Sequence, residues 1–342
     1  MSEKVLTKGD PGMPTIIIHQ PGRRLLLMLL LFGLAFSIML NFGLLASFAD
    51  YSTDLNAPNE KFYSGDSLAT DKIARINANF MISNPYTDRI KKIIDHVSQA
   101  DDVKGVLLVI DSPGGLVSDS HEIYHRLKLL SEKKPVYVQM KGIAASGGYY
   151  IAMGAGSENP VYAEPTTWTG SIGVIIPRYN ASELAKNLGV KSESLTTGPL
   201  KETLSPFKEM SEREKDVWAV IMEDSFDRFI SVIAENRKNL NKEQVRELAT
   251  GQVYTADQAL ANGLVDQISY EEDTLLELQT ALGLKKARVV EYQFPLSFTE
   301  TLIGGVGKAP EINVDPLKTV LEASTPRAMY LFGWEQTINS MN

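Results

Sequence analysis

A chain of 342 residues, 44% hydrophobic and 22% charged, holds enough material for one large domain or two modest ones around a sizeable core. Its formal net charge of −8, without a basic stripe, argues against nucleic acid as a partner. The absence of cysteine removes disulfides, cysteine nucleophiles and zinc–thiolate sites together, without fixing the compartment.

Residues 1–24 read as a cytoplasmic leader and residues 25–49 as a transmembrane anchor. No charged residue falls between Leu25 and Ala49, and a helix of that length rises about 38 Å, enough for a hydrocarbon core of about 30 Å. Arg23 and Arg24 precede the run, while Asp50, Asp54 and Glu60 follow it. The positive-inside tendency then keeps the N-terminus in the cytoplasm, makes a single pass through the cell inner membrane and exports the bulk of the chain. A cleaved signal peptide is the rival reading, with Ser47-Phe48-Ala49 as a small-x-small site; the length of the apolar run favours the anchor. Residues 50–70 are polar and turn-rich and read as a linker, so the globular part is expected to begin near Asp71.

Lys72 to Phe80 alternates as a first strand, and Tyr86 to Gln99 carries Ile90, Ile93, Ile94 and Val97 on one helical face. Strand 104–110, helix 116–131, strand 135–140 and helix 147–155 follow. This alternation of near-continuous apolar strands with helices predicts a buried parallel sheet in an α/β fold. Further strands are expected at Val161 to Ala163, Ile172 to Ile176 and Lys191 to Thr196, with a short helix at Ser182 to Asn187. Ser211-Glu212-Arg213-Glu214 gives a long amphipathic helix a capping start, and the helix runs to Asn236. Thr255 caps a short helix that Asn262-Gly263 stops. Residues 286–342 form a C-terminal extension whose apolar cluster, Met329 to Phe332, reads equally as an oligomer contact or as the last core element.

Two glycine-flanked turns stand out. Asp111-Ser-Pro-Gly-Gly115 and Ala144-Ala-Ser-Gly-Gly148 each fall where a strand gives way to a helix, at a spacing that fits one strand–helix–strand unit. Ser146 would sit on a sharp elbow at a helix start, a position suited to a nucleophile. Backbone N–H groups of Gly115 and Gly147, with Gly114 as their neighbour, could face a developing oxyanion, since glycine has no Cβ to block a substrate carbonyl.

These stretches, together with Thr169-Gly-Ser-Ile-Gly-Val174, Gly198-Pro-Leu-Lys201 with Ser205-Pro206, and Gly251 to Asp266, resemble the short form of the signal peptide peptidase A family of serine peptidases. The resemblance covers residues 71–285 as a peptidase domain. It implies a ClpP/crotonase-like fold of repeated β-β-α units, preceded here by the single N-terminal transmembrane helix. It also implies a Ser-Lys dyad, with Ser146 as nucleophile and Lys201 as general base, and a hydroxyl from Ser171 or Thr169 to orient the lysine. Lys201 lies among Leu200, Leu204 and Pro206, so burial is expected to lower its pKa; Lys141, just before the elbow, is the rival lysine. The implied activity is membrane-anchored hydrolysis of residual signal peptides or similar apolar peptides, with small apolar side chains on the acyl side, a ring-shaped homo-oligomer, and no metal or other cofactor. Two departures stand out: Asn77 and Asn79 make the first strand more polar than the family pattern, and beyond residue 285 only Pro326-Arg-Ala-Met-Tyr330 matches.

Three other readings compete. His121-Glu122-Ile-Tyr-His125 fits the H-E-x-x-H spacing of zinc peptidases, but Ile123, Leu127 and Leu130 define the buried side of that helix and leave the histidines on another. A crotonase-like acyl-CoA enzyme shares the fold but conflicts with an exported domain. A non-catalytic scaffold that retains the fold is the third.

Overall fold

The computed structural model describes residues 22–52, 57–294 and 327–333; most of the leader, and Pro326 in the C-terminal extension, lie outside them. The chain divides into two units, one of Met1–Asp54 with Leu296–Lys308 and the other of Leu55–Pro295 with Ala309–Asn342. In the first unit, α1 (Gly22–Ser52) is a 31-residue helix. Its stretch Leu26–Leu45 has a mean hydropathy of 2.2, and the helix is long and apolar enough to cross a membrane.

The second unit runs β1 (Asn59–Gly65), β2 (Lys72–Ala78), α2 (Tyr86–Gln99), β3 (Val103–Ser112), β4 (Gly114–Leu116), α3 (Val117–Ser131), β5 (Val136–Ala145), α4 (Gly147–Ala152), β6 (Val161–Ala163) and β7 (Trp168–Gly170). It continues with α5 (Ser182–Asn187), α6 (Glu212–Asn236), α7 (Lys242–Leu248), β8 (Val253–Thr255), α8 (Ala256–Ala261), β9 (Gln267–Ile268), α9 (Glu271–Ala281), β10 (Arg288–Gln293) and β11 (Met329–Leu331). The main sheet has the order β1-β10-β2-β3-β5-β6-β9, with β7 branching from β5 and β8 pairing β7. Its pairs are parallel except β1 with β10 and β7 with β8.

Val106, Leu107, Leu108, Val109 and Ile110 are buried in succession, which requires cover on both faces of β3 and explains why the strand is central and parallel. The larger core includes Ile90 and Ile94 of α2, Ile123 and Leu127 of α3 and Tyr150 of α4, with Val106 and Leu108. Leu107 and Val109 pack instead with Leu278 of α9 and Val289 of β10. The capping starts are present: Ser211 with Glu214, and Thr255 with Gln258, each satisfy the other's backbone N–H. Gly263 ends α8 at φ +73°, as a left-handed stop requires.

Several expectations are corrected. Residues 50–70 are not only linker, since β1 lies there and pairs β10. The folded sheet also continues past residue 285, because β10 sits between β1 and β2. Ile172 to Ile176 is no sheet strand; its ladder contact is a single bridge from Ile175 to Met329. Lys191 to Thr196 forms no strand and is exposed throughout, for alternation alone makes no strand without a sheet edge to join. Helix 147–155 ends at Ala152 and tightens into a 3-10 turn over Met153–Ala155.

Candidate active site

Strand β5 runs five residues beyond its expected end and delivers its last residue, Ala145, directly to Ser146. Ser146 has φ 54° and ψ −113°. Among the described residues only Ser146 and Ser171 combine a side chain with positive φ, a conformation that survives where surrounding contacts enforce it. The enforcing contacts are backbone bonds: the Ser146 N–H donates to Gly170 O at 2.7 Å, and Ser146 O accepts from Tyr150 N–H at 2.9 Å. Ser146 is 1% exposed.

Strand β4 lies against this elbow. Gly114 has φ +99°, and a Cβ there would meet Gly147 N at 2.6 Å and Tyr330 O at 2.0 Å. A Cβ on Gly147 would meet Ser120 Oγ at 2.6 Å and the Gly114 Cα at 3.0 Å. Only glycine fits at both positions, so the backbones of the two sequence motifs touch. The Gly114 N–H is already taken, donating to Ser112 Oγ at 3.2 Å. Gly115 stands opposite Tyr330 in the antiparallel β4–β11 ladder.

The C-terminal strand completes the wall. Met329 exchanges both backbone hydrogen bonds with Ile175, each 2.9 Å, so β11 lies between β4 and the 172–176 segment. The Tyr330 ring stacks on Tyr150 at 5.0 Å between centroids and lies 4.6 Å from Phe229, and its hydroxyl donates to Ser225 O at 2.7 Å. Burial pushes the Tyr150 and Tyr330 hydroxyls well above the usual phenol range, so both stay neutral donors. Of Met329 to Phe332, Tyr330 is buried in the core and the other three are half-buried. The sequence pointed to the cluster but not to its partner, because pairing with residues so remote along the chain leaves no local pattern. Beside Ser171, a cavity of about 460 Å³ is lined by Ile172, Val174, Ala219, Met222, Phe226 and Gly251.

The remaining candidates divide. Thr169 is buried, with its Oγ1 donating to Ala144 O at 2.7 Å. Ser171 is 6% exposed; its N–H donates to Gln252 O at 2.7 Å and its Oγ to Gly251 O at 3.3 Å. Both flank Gly170, the residue that holds Ser146. Lys201, expected among apolar neighbours, is exposed in the single chain and belongs to a turn in which its N–H donates to Gly198 O. The structure therefore gathers Ser146, Gly114, Gly147, Thr169 and Ser171, and leaves Lys201 in solvent.

The rival lysine is committed elsewhere. Lys141 pairs with Glu164 at 2.7 Å and Glu271 at 3.1 Å; burial pulls its pKa down, but the two carboxylates more than reverse this and hold it above the usual lysine value. It stays charged and cannot take a proton. The H-E-x-x-H residues are dispersed too. His121 Nδ1 lies 2.7 Å from Tyr150 Oη, Glu122 pairs with Lys91, and His125 is exposed. No group of three metal-ligating residues is assembled among the described residues. Burial, with Arg228 and His125 nearby, lowers the His121 pKa and keeps it neutral.

Comparison with known proteins gives the family. The sequence pattern of Peptidase family S49 matches residues 128–285, and that of Clp protease matches residues 67–169. The chain is 34% identical over 316 residues to a protein named signal peptide peptidase SppA in Enterococcus faecium, covering 82% of this chain and 90% of that one. It is 38% identical over 236 residues to a protease of Synechocystis sp., covering 68% of this chain and 83% of the relative. It is also 30% identical over 237 residues to the chloroplastic serine protease SPPA of Arabidopsis thaliana, covering 68% of this chain and 34% of the relative. With a Clp protease-like α/β fold and these relatives, the chain belongs to peptidase family S49 as a signal peptide peptidase A-like serine peptidase.

Proposed function

We propose that this chain is a membrane-anchored endopeptidase that hydrolyses residual signal peptides or similar apolar peptides through an acyl-enzyme on Ser146. Lys201 takes the Ser146 proton as Oγ attacks the scissile carbonyl, and the carbonyl π pair moves onto oxygen. The N–H groups of Gly115 and Gly147 receive that oxyanion. As the tetrahedral adduct collapses, the C–N bond breaks and Lys201 returns the proton to the leaving amine; water then attacks the ester with Lys201 again as base.

The observation that carries the reading is the Ser146 elbow at φ 54° and ψ −113°, with Gly147 packed against Gly114. The apolar cavity beside Ser171 suits apolar peptide side chains. Helix α1 supports a single-pass anchor in the cell inner membrane, and Arg23 and Arg24, before its apolar stretch Leu26–Leu45, support a cytoplasmic N-terminus and an exported catalytic unit. Lys201 is exposed in the single chain, whereas a lysine base needs desolvation; assembly of several copies into a homo-oligomer would supply that cover, with Ser171 or Thr169 orienting the amine.

Turnover of a fluorogenic apolar peptide by the full-length protein in detergent tests the assignment. Ser146→Ala and Lys201→Ala are each expected to abolish hydrolysis, by at least about a thousandfold, with unchanged circular dichroism and unchanged oligomer mass by light scattering. Turnover surviving Ser146→Ala would sink the nucleophile assignment. Activity lost on chelation and restored by zinc would revive the H-E-x-x-H reading.

A further inference from the structure

Gly115 carries the amide proposed to meet the oxyanion, but nothing intrinsic to Gly114-Gly115 fixes where that amide points, because glycine permits most backbone orientations. Two contacts hold the turn, one on the Gly114–Gly115 peptide that carries the amide and one on the Pro113–Gly114 peptide before it. The Ile82 N–H donates to Gly114 O at 2.7 Å, and Ser112 Oγ accepts the Gly114 N–H at 3.2 Å. A trans peptide plane sets its carbonyl and its N–H on opposite sides. Holding Gly114 O towards Ile82 therefore turns the Gly115 N–H to the other edge of β4, where Tyr330 O lies between the Gly114 and Gly147 positions.

The Ser112 hydroxyl has a defined direction. It donates to Phe80 O at 2.5 Å, so its lone pair faces the Gly114 N–H, and a single oxygen ties the β4 turn to the segment that carries Ile82. Ser112 is fully buried and stands beside Ala144 in the β3–β5 register, at the root of the nucleophile elbow. Without this hydroxyl the Gly114 amide would lack its partner inside the protein, and its peptide plane could rotate.

We propose that Ser112 is a positioning residue of the oxyanion site: its hydroxyl locks Gly114 so that the Gly115 amide faces the carbonyl under attack. This rests on the assignment of Ser146 and Gly115 above. Loss of one oxyanion donor typically slows an enzyme about 100- to 1000-fold; a donor that is misaimed rather than removed is expected to slow it about 10- to 100-fold.

The test uses full-length protein with Ser112→Ala and Ser112→Cys, the second keeping the shape while weakening the hydrogen bond. Besides kcat and KM, inhibition is measured with a substrate-like peptide aldehyde, which forms a tetrahedral adduct with Ser146, and with the matching peptide alcohol, which does not. Both variants are expected to lose kcat about 10- to 100-fold with KM within about twofold. The aldehyde should weaken at least about tenfold while the alcohol is unchanged. Wild-type kcat in either variant, equal weakening of both inhibitors, or failure of both variants to fold overturns the proposal, the last by giving the hydroxyl a purely structural role. Turnover that survives Ser146→Ala counts against the nucleophile assignment instead, so the two failures are distinguishable.

Discussion

At Ser146 a residue with a side chain is held at φ 54° and ψ −113°, where glycine would rest with less strain. Backbone strain of this kind is worth about 1 to 3 kcal/mol and is sustained by the bonds to Gly170 and Tyr150. Ser146→Gly and Ser146→Ala both remove the hydroxyl, but only glycine releases the strain. Ser146→Gly is therefore expected to unfold at higher denaturant than Ser146→Ala, by about 1 kcal/mol after glycine's entropic penalty; equal midpoints would show that the elbow is unstrained. Motif spacing made the elbow at this residue legible, because two glycine-flanked strand-to-helix turns fit one strand–helix–strand unit, whereas Ser-Gly-Gly alone is an ordinary cap or linker. Ser112 was not legible in the same way: it belongs to the first motif, but its part depends on Phe80 and on the Gly114 amide, and neither leaves a trace in spacing.

Among the elements, β11 bears most directly on access to the site. It pairs β4 on one edge and Ile175 on the other, so an external peptide can add to neither edge while it is docked. A tethered strand also competes at high effective concentration. A chain ending at Pro326 is expected to hydrolyse short peptides several-fold faster in kcat/KM, with Tyr330→Ala in the full chain falling between, since it empties the space between Tyr150 and Phe229. An unchanged kcat/KM in both would show that peptides reach Ser146 by another path. Most elements were readable from periodicity: α2, α6 and α8 fall at or near their expected bounds, and β3 is as continuous as its apolar run. The errors share a cause. Lys191 to Thr196 alternates like a strand without an edge to join, whereas β1 and β10 look unremarkable in sequence and gain their place from each other and from β2.

Across the whole molecule, a buried charge network joins the segments that composition had set apart. Arg75 of β2 reaches Glu271 of α9 through its Nε at 2.6 Å and also pairs with Glu291 of β10. Lys141 of β5 joins Glu271 to Glu164, and the Tyr63 ring of β1 lies 4.6 Å from the Arg75 guanidinium. Because β5 leads directly into Ser146, this network also braces the strand that presents the proposed nucleophile. Burial raises the Glu271 pKa, but Arg75 and Lys141 more than reverse this and hold it below the ordinary glutamate value. A carboxylate whose folded pKa is depressed contributes its full stability above its unfolded pKa of about 4.3 and loses it as pH falls through the folded value. Glu271→Gln leaves Arg75 with Glu291 alone, and half-breaking a buried pair costs about 3 kcal/mol. Urea unfolding should show that deficit undiminished from pH 7 to about 5 and shrinking below about pH 4, as wild-type Glu271 takes up its proton. A deficit that stays constant down to pH 3 would mean that the Glu271 charge does not stabilise the fold.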